Sequence, residues 1–390
     1  MSTHPGIHDG LKRIADPLST LADRIHRTPE LGFEETKACA WQVALLKNWR
    51  FKVETPFGSL RTAYRATAGK GRPAFGFLAE YDALPEVGHA CGHNLICAAA
   101  IGAGTVLRET LAREKRPGKV VILGTPAEES RGGKLIMIKD GAFRGLDAAI
   151  EAHPSFRTAP YGAHTAIKRV DVRFTGKAAH AAASPEKGRN ALDAVMLLFQ
   201  GVNAWRQHLV ESSRIHGIVT EGGVAPNIVP AHGSCVFFLR SLDDADLEQM
   251  IVRFKDIARG AALMTGTKVK VTIGKGGYRS GNPNRKLNEA FMTAAEAVGL
   301  NPKVPKRSGR GSSDFANVSH LVPGVHVYFG ISKRAIAGHS TAFAKAAGSA
   351  YGKQQMLRAA EAIANVGYRF FTDPAFRKQV RAAFDKGRGK

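Results

Sequence analysis

The pattern of apolar and polar positions changes character near Lys168 and returns to its first form after about residue 281. Residues 8 to 50 carry apolar side chains at helical spacing in two pieces. The break falls at Arg27-Thr28-Pro29-Glu30-Leu31-Gly32-Phe33, where Pro29 and Gly32 interrupt the pattern, and Glu34 opens a second helix through about Trp49. Phe51 to Glu54 and Arg61 to Ala66 read as strands. Phe75 to Leu78 is a short buried strand that delivers Glu80, Tyr81 and Asp82 to a turn closed by Pro85. Leu95 to Leu111, rich in Ala and Leu, predicts a buried helix with Asn94 as its N-cap. Lys119 to Leu123 is a further strand, ending in Gly124-Thr125-Pro126-Ala127-Glu128-Glu129. Gly132-Gly133 then opens a short apolar helix, Lys134 to Lys139, which Gly141 ends as a C′ glycine. Asp147 to Glu151 is a strand with His153-Pro154 directly beyond it.

The middle of the chain reads differently. Arg169 to Thr175 is a strand and Asn190 to Leu209 a helix. Arg214 to Thr220 and Ser234 to Arg240 are strands, Asp243 to Met264 a helix, and Lys268 to Ile273 a last strand. This β-α-β-β-α-β order is ferredoxin-like. A linker, Gly274 to Pro283, leads back to a helix from Arg285 to Val298. There follow a Gly/Ser-rich turn at 308–313, a short helix around Asp314 to Val318 and a strand from Val325 to Phe329. Helical sequence runs from Gly338-His339-Ser340 to the end. The expected fold is therefore α/β. A mixed-sheet domain formed by 1–167 and 281–390 holds an inserted ferredoxin-like α+β domain, 168–280.

Composition changes this picture little. A chain of 390 residues suits two domains, and 44% hydrophobic with 23% charged residues is ordinary for a soluble globular enzyme. No apolar run reads as long enough to span a bilayer, and the N-terminus lacks the apolar core of a signal peptide. Four scattered cysteines do not make a disulfide framework. A cytoplasmic protein without a membrane partner is expected. The net charge of +23 is spread along the chain, apart from 303–307 and 386–390, and no nucleic-acid motif accompanies it. A basic solvated surface is the expectation, with no nucleic-acid partner.

Chemistry concentrates at three predicted strand ends, which supply Asp82, the Glu128-Glu129 pair and His153. In open α/β sheets, ligands gather at the carboxyl ends of strands. Adjacent carboxylates after a buried strand are costly unless something positive holds them. Cys91 and His93 sit at a predicted helix N-terminus, where the dipole favours a metal-binding thiolate. That pair alone is weak evidence for a metal site. Imidazole, thiolate and carboxylate together suit zinc or another first-row ion.

These segments resemble the M20 metallopeptidase family, in particular its amidohydrolase subgroup of aminoacylase-like, aminobenzoyl-glutamate-hydrolase-like and β-alanyl-lysine-dipeptidase-like proteins. The matching residues are 26–33, Glu80 to Pro85, Gly88 to Asn94, Pro126 to Glu129 and Ala152 to Pro154. Phe174 to Ala182, Asn190 to Ala194, Asn227 to Pro230, Ser313 to Ala316 and Gly338 to Ser340 continue the match in order. The resemblance implies two divalent ions per subunit, zinc or manganese. Cys91 would bridge them, with His93, Glu129, His153 and His339 as the other ligands. Glu128 would be the general base, and Asp82 would orient a ligand. It also implies a homodimer through the inserted domain, in which His180 stabilises the oxyanion and Asn227 and Arg240 hold a substrate carboxylate. Many relatives carry Asp where this chain has Asn94, and others carry a ligand His at the position of Glu80.

The expected function is metal-dependent hydrolysis of a peptide-like or N-acyl amide bond in a small molecule: an N-acyl amino acid, a dipeptide or an aminobenzoyl-amino acid. One rival is hydrolytic deamination of an aromatic amine at the same site. Another is a basic nucleic-acid-binding protein on a degenerate hydrolase fold, against which the complete donor set argues. His89 reads as structural. His164, His208, His216 and His232 read as surface or core histidines, and Cys39, Cys97 and Cys235 as small core residues.

Overall fold

The computed structural model describes residues 3–130, 132–162, 164–305 and 311–388. The first half of the Gly/Ser turn expected at 308–313, the end of the basic run at 303–307 and the last two residues of 386–390 lie outside them. The chain opens with α1 (Pro5–Arg27), which buries one stripe, Ile7, Leu11, Ile14, Leu18, Leu21 and Ile25, at helical spacing. Then come α2 (Thr36–Asn48), β1 (Lys52–Glu54), β2 (Tyr64–Lys70), β3 (Ala74–Ala79), α3 (His93–Arg113), β4 (Gly118–Gly124), α4 (Gly133–Lys139) and β5 (Ala148–Ser155). A second group follows: β6 (Ala166–Thr175), α5 (Ala191–Arg206), β7 (Arg214–Glu221), β8 (His232–Ser241), α6 (Asp244–Thr265) and β9 (Lys268–Ile273). The chain closes with α7 (Arg285–Ala297), α8 (Phe315–Val318), β10 (Gly324–Gly330), α9 (Thr341–Ala347), α10 (Ala350–Thr372) and α11 (Pro374–Arg388).

The described residues divide into two compact units, one of 3–162, 282–305 and 313–388, the other of 164–281 with 311–312. In the first, six strands run in the order β1-β2-β4-β3-β5-β10. The last four are mutually parallel, while β1 and β2 are antiparallel to their neighbours. All six residues of β3 are buried, as a central parallel strand requires. Helix α3 packs along β3, β4 and β5, with α1 and α10 on it in turn. Enclosure on every side explains why its sequence has no polar face. By length and composition it could cross a membrane, contrary to the sequence expectation, yet 83% of its most apolar stretch is buried in the protein.

Three local expectations need correction. Strand β2 starts at Tyr64 rather than Arg61, because 57–63 folds into a turn closed by the Phe57 N–H donating to the Ala63 carbonyl at 3.0 Å. The N-cap of α3 is Gly92, in the left-handed region at φ 76°, rather than Asn94. Asn94 is buried inside the helix, where its amide donates to the carbonyls of Ala22 and Ala347. A side chain at Gly92 would meet Pro154 at 2.9 Å, so glycine is needed both for φ and for space. Finally, His153 lies within β5 rather than beyond it, because β10 extends the ladder and pairs Tyr328 with His153.

The second unit has its own core, centred on Phe174, Leu198, Phe237 and Phe254. Its four strands are antiparallel in the order β7-β8-β6-β9. Asn190 caps α5 through Leu192 and Asp193, and Asp243 caps α6 through Ala245 and Asp246.

Candidate metal centre

The carboxyl ends of β4, β3 and β5, three adjacent parallel strands, bring the predicted donors of the first unit together. After β3, Asp82 reaches His93, and its Oδ1 accepts from Nδ1 at 2.8 Å. Its Oδ2 accepts the Glu129 N–H at 2.9 Å, so one carboxylate fixes both a ring and the loop after β4. His93 Nε2 is buried, makes no hydrogen bond, and lies 3.4 Å from Glu80 and 3.9 Å from Glu129. In β5, His153 Nδ1 donates to its neighbouring Pro154 carbonyl at 2.6 Å, which leaves Nε2 3.3 Å from Cys91 Sγ. His339, at φ 59°, places Nε2 3.3 Å from Glu129.

Donor atoms of Cys91, His93 and His153 lie within 4.8 Å of one another, as do those of Cys91, Glu129 and His339. Cys91 is common to both groups. His93, Glu128 and Glu129 form a third group of the same size. All six residues singled out in the sequence as ligands or base thus converge.

Burial pushes the Cys91 thiol well above its ordinary value, so the helix N-terminus alone does not secure a thiolate. Burial, and then His93, hold His153 at about 4, which keeps its imidazole neutral, the form that ligates metals. Burial, followed by the charges of Glu80, Asp314 and Glu129, raises Glu128 well above the usual carboxylate range. Burial likewise holds His89 down at about 3. Among the other cysteines, Cys39, Cys97 and Cys235 are buried and free.

Beneath this cluster lies a second one that the sequence did not reveal. The Lys134 ammonium is fully buried. It donates to Glu80 and, at 2.7 Å, to Asp314, with Glu151 at 3.7 Å. The Lys134 N–H donates to the other Asp314 oxygen at 3.0 Å. His326 Nε2 stands 2.9 Å from Glu151. Glu80 and Asp314 in turn lie within 4.8 Å of Glu128. Glu80, where other relatives were expected to carry a ligand histidine, is thus held by a lysine.

The remaining predicted residues lie in the second unit. His180 is exposed, and its Nδ1 accepts from the N–H groups of Ala182 and Ala183 at 3.3 and 3.1 Å. That assigns the ring proton to Nε2. The Asn227 carbonyl accepts the Ala181 N–H at 3.0 Å, so the two loops adjoin. Arg240 sits at the other end of β8, where Nη1 donates to Ser312 at 3.1 Å.

Residues 76–366 match the description of peptidase family M20/M25/M40. The chain belongs to that family. It is 38% identical to a human Xaa-Arg dipeptidase over 395 aligned positions, covering 95% of this chain and 89% of the relative. It is 34% identical to one subunit of the p-aminobenzoyl-glutamate hydrolase of Escherichia coli K12, covering 75% of this chain and 65% of that relative. A Bacillus subtilis dinuclear metal-binding peptidase of family M20 superposes with a TM-score of 0.75 at 20% identity, over 92% of this chain and 98% of that one. This M20 protein is an enzyme, a metal-dependent amidohydrolase acting on amide bonds of small molecules. Its donor set fits divalent cations. Among the described residues, a buried imidazole nitrogen lacks a hydrogen bond, a second imidazole is held neutral, and a thiol and two carboxylates surround them.

Proposed function

We propose that the protein hydrolyses the amide bond of dipeptides or closely similar amino-acid amides, with two divalent ions, zinc or manganese, held around Cys91. The observation that carries this reading is Cys91 shared between two donor groups, with Glu128 beside them. Cys91, His93 and His153 would hold one ion, and Cys91, Glu129 and His339 the other. Bound there, such ions polarise a carbonyl and bring the pKa of water to about 7. Glu128, beside His93 and Glu129, takes the proton of the attacking water and passes it to the leaving amine. Asp82 keeps His93 in the tautomer whose Nε2 is free to ligate. His180 donates from Nε2 to the developing oxyanion. Asn227 and Arg240 take the substrate carboxylate, Arg240 by a bidentate contact. The dipeptide is favoured over other acyl groups by the extent of the match to the human Xaa-Arg dipeptidase, 95% of this chain.

The second unit is read as a dimerisation domain. His180 and Asn227 adjoin at one end of its sheet and Arg240 lies at the other, along a strand of ten residues. At about 3.4 Å per residue, one copy does not bring all three to one small substrate. Two copies sharing sites would.

The test is a substrate screen of dipeptides, N-acyl amino acids and aminobenzoyl-amino acids on enzyme loaded with zinc or manganese. Dipeptides are expected to give the highest kcat/KM, and Glu128→Gln to lose at least about a hundredfold in turnover while keeping metal. Turnover confined to aromatic amines, with ammonia as product, would overturn the reading.

A further inference from the structure

Glu35 stands at the N-cap position of α2 but makes no capping bond there. Glu30 does that work, its carboxylate accepting the N–H groups of Lys37 and Ala38 at 3.0 and 2.8 Å. Glu35 is fully buried instead. Its Oε1 accepts the Ala127 N–H at 2.8 Å, and its Oε2 accepts the Thr62 hydroxyl at 3.0 Å. Burying a carboxylate is costly, and nothing in α2 requires this one.

Ala127 is the unusual partner. Its φ is 60°, in the left-handed region that residues with a Cβ avoid. Its carbonyl is held too, accepting the N–H groups of Gly132 and Gly133 at 3.0 and 3.2 Å. The next two residues are Glu128 and Glu129, and the Glu129 N–H is the one held by Asp82. The turn that carries both carboxylates is therefore tied on either side of Ala127 and again at Glu129. The ties at the Ala127 and Glu129 N–H groups both come from buried carboxylates outside the loop, Glu35 and Asp82, and the Glu35 tie is the one that acts on the left-handed residue.

We propose that Glu35 is a positioning residue for hydrolysis, holding Ala127 left-handed and so setting the direction in which Glu128 and Glu129 leave β4. The inference rests on the reading of Glu128 as the base. Glu35 acts through the Ala127 peptide N–H. Glutamine is its conservative replacement, since the amide oxygen accepts from Ala127 while the amide nitrogen donates to Thr62. Glycine at 127 should make the tie dispensable, because it adopts positive φ without a steric penalty.

The experiment measures kcat, KM and metal content for Glu35→Gln, Glu35→Leu, Ala127→Gly, the Glu35→Leu/Ala127→Gly double variant, and Glu128→Gln. Glu35→Gln is expected to keep kcat near wild type. Glu35→Leu should lower kcat by on the order of a hundredfold, the scale of a small misplacement of catalytic groups, with KM and metal content little changed. Ala127→Gly should recover about tenfold of that loss, the weight of one left-handed residue. A purely structural Glu35 would lower folded yield without this rescue. If Glu35→Leu does not fold, Glu35→Asp, too short to reach Ala127, takes its place in the same cycle. Equal kcat in the single and double variants, or an undiminished kcat in the single, overturns the inference while Glu128→Gln is inactive. An active Glu128→Gln overturns the reading beneath it as well.

Discussion

Burial, then the charge of Asp82, raise the Glu35 carboxyl from 4.5 to about 7. A group whose pKa is raised by folding contributes stability that is present below its unfolded pKa and lost as pH rises through its folded pKa. For Glu35 that loss falls between about pH 4.5 and 7 and amounts to about 3 kcal/mol in full. Glu35→Gln never ionises, so its stability relative to wild type should grow from pH 5 to pH 8. Urea unfolding of both proteins at the two pH values measures this. A constant difference would mean that folding leaves the Glu35 pKa unshifted. The six residues around Cys91 were legible because each sits in a short motif whose residue types announce metal chemistry. Glu35 was not, although its neighbour Glu34 marks a helix start. Its partners, Thr62 and Ala127, are 27 and 92 residues away, and no spacing rule connects a buried carboxylate to a backbone N–H at that range.

Among the elements, α4 is foreseeable from its paired glycines and from Gly141, which takes φ 82° just past its end. What the helix does is not. A lysine in a short apolar helix reads as a solvated end, because its long stem lets the ammonium reach water. In the fold the ammonium turns inward to Glu80 and Asp314, a choice dictated by strands that arrive from elsewhere in the chain. Helix α3 shows the opposite case. Its existence is plain from composition, but its cap lies two residues before the expected one, at Gly92, whose left-handed φ and close approach to Pro154 no periodicity reveals. Lys134→Met should destabilise the first unit by on the order of 3–5 kcal/mol, since it leaves buried carboxylates uncompensated. Adding Glu80→Gln should return part of that loss, because partners in one network are not additive. Thermal unfolding of the single and double variants decides it. A double variant as unstable as the sum of its singles would mean that Lys134 and Glu80 do not share a charge balance.

At the scale of the whole molecule, the chain order of strands and helices in both units was readable from periodicity. Whether copies of the chain associate was not readable from pattern, and the argument for the proposed dimer comes from the second unit. Strand β7 is an edge of its sheet, bonded to β8 on one side only. It exposes Ile218 at 67% and Val219 at 49%, and an open apolar edge of this kind is a pairing surface unless something covers it. In the proposed dimer a second copy of β7 would cover this edge, and sharing of sites would also account for His180 and Arg240 standing at opposite ends of β8. Light scattering should therefore give a dimer for the wild-type protein and a monomer for Ile218→Lys/Val219→Lys, with turnover falling as the dimer is lost. If sites are shared, His180→Ala loses rate on the scale of an oxyanion donor, about 3 kcal/mol, and keeps its metal. Mixing it with inactive Glu128→Gln under subunit exchange then restores activity, because each mixed dimer holds one site with Glu128 from one chain and His180 from the other. A wild-type monomer with full activity, or mixtures no more active than their parents, would leave His180 to serve its own chain.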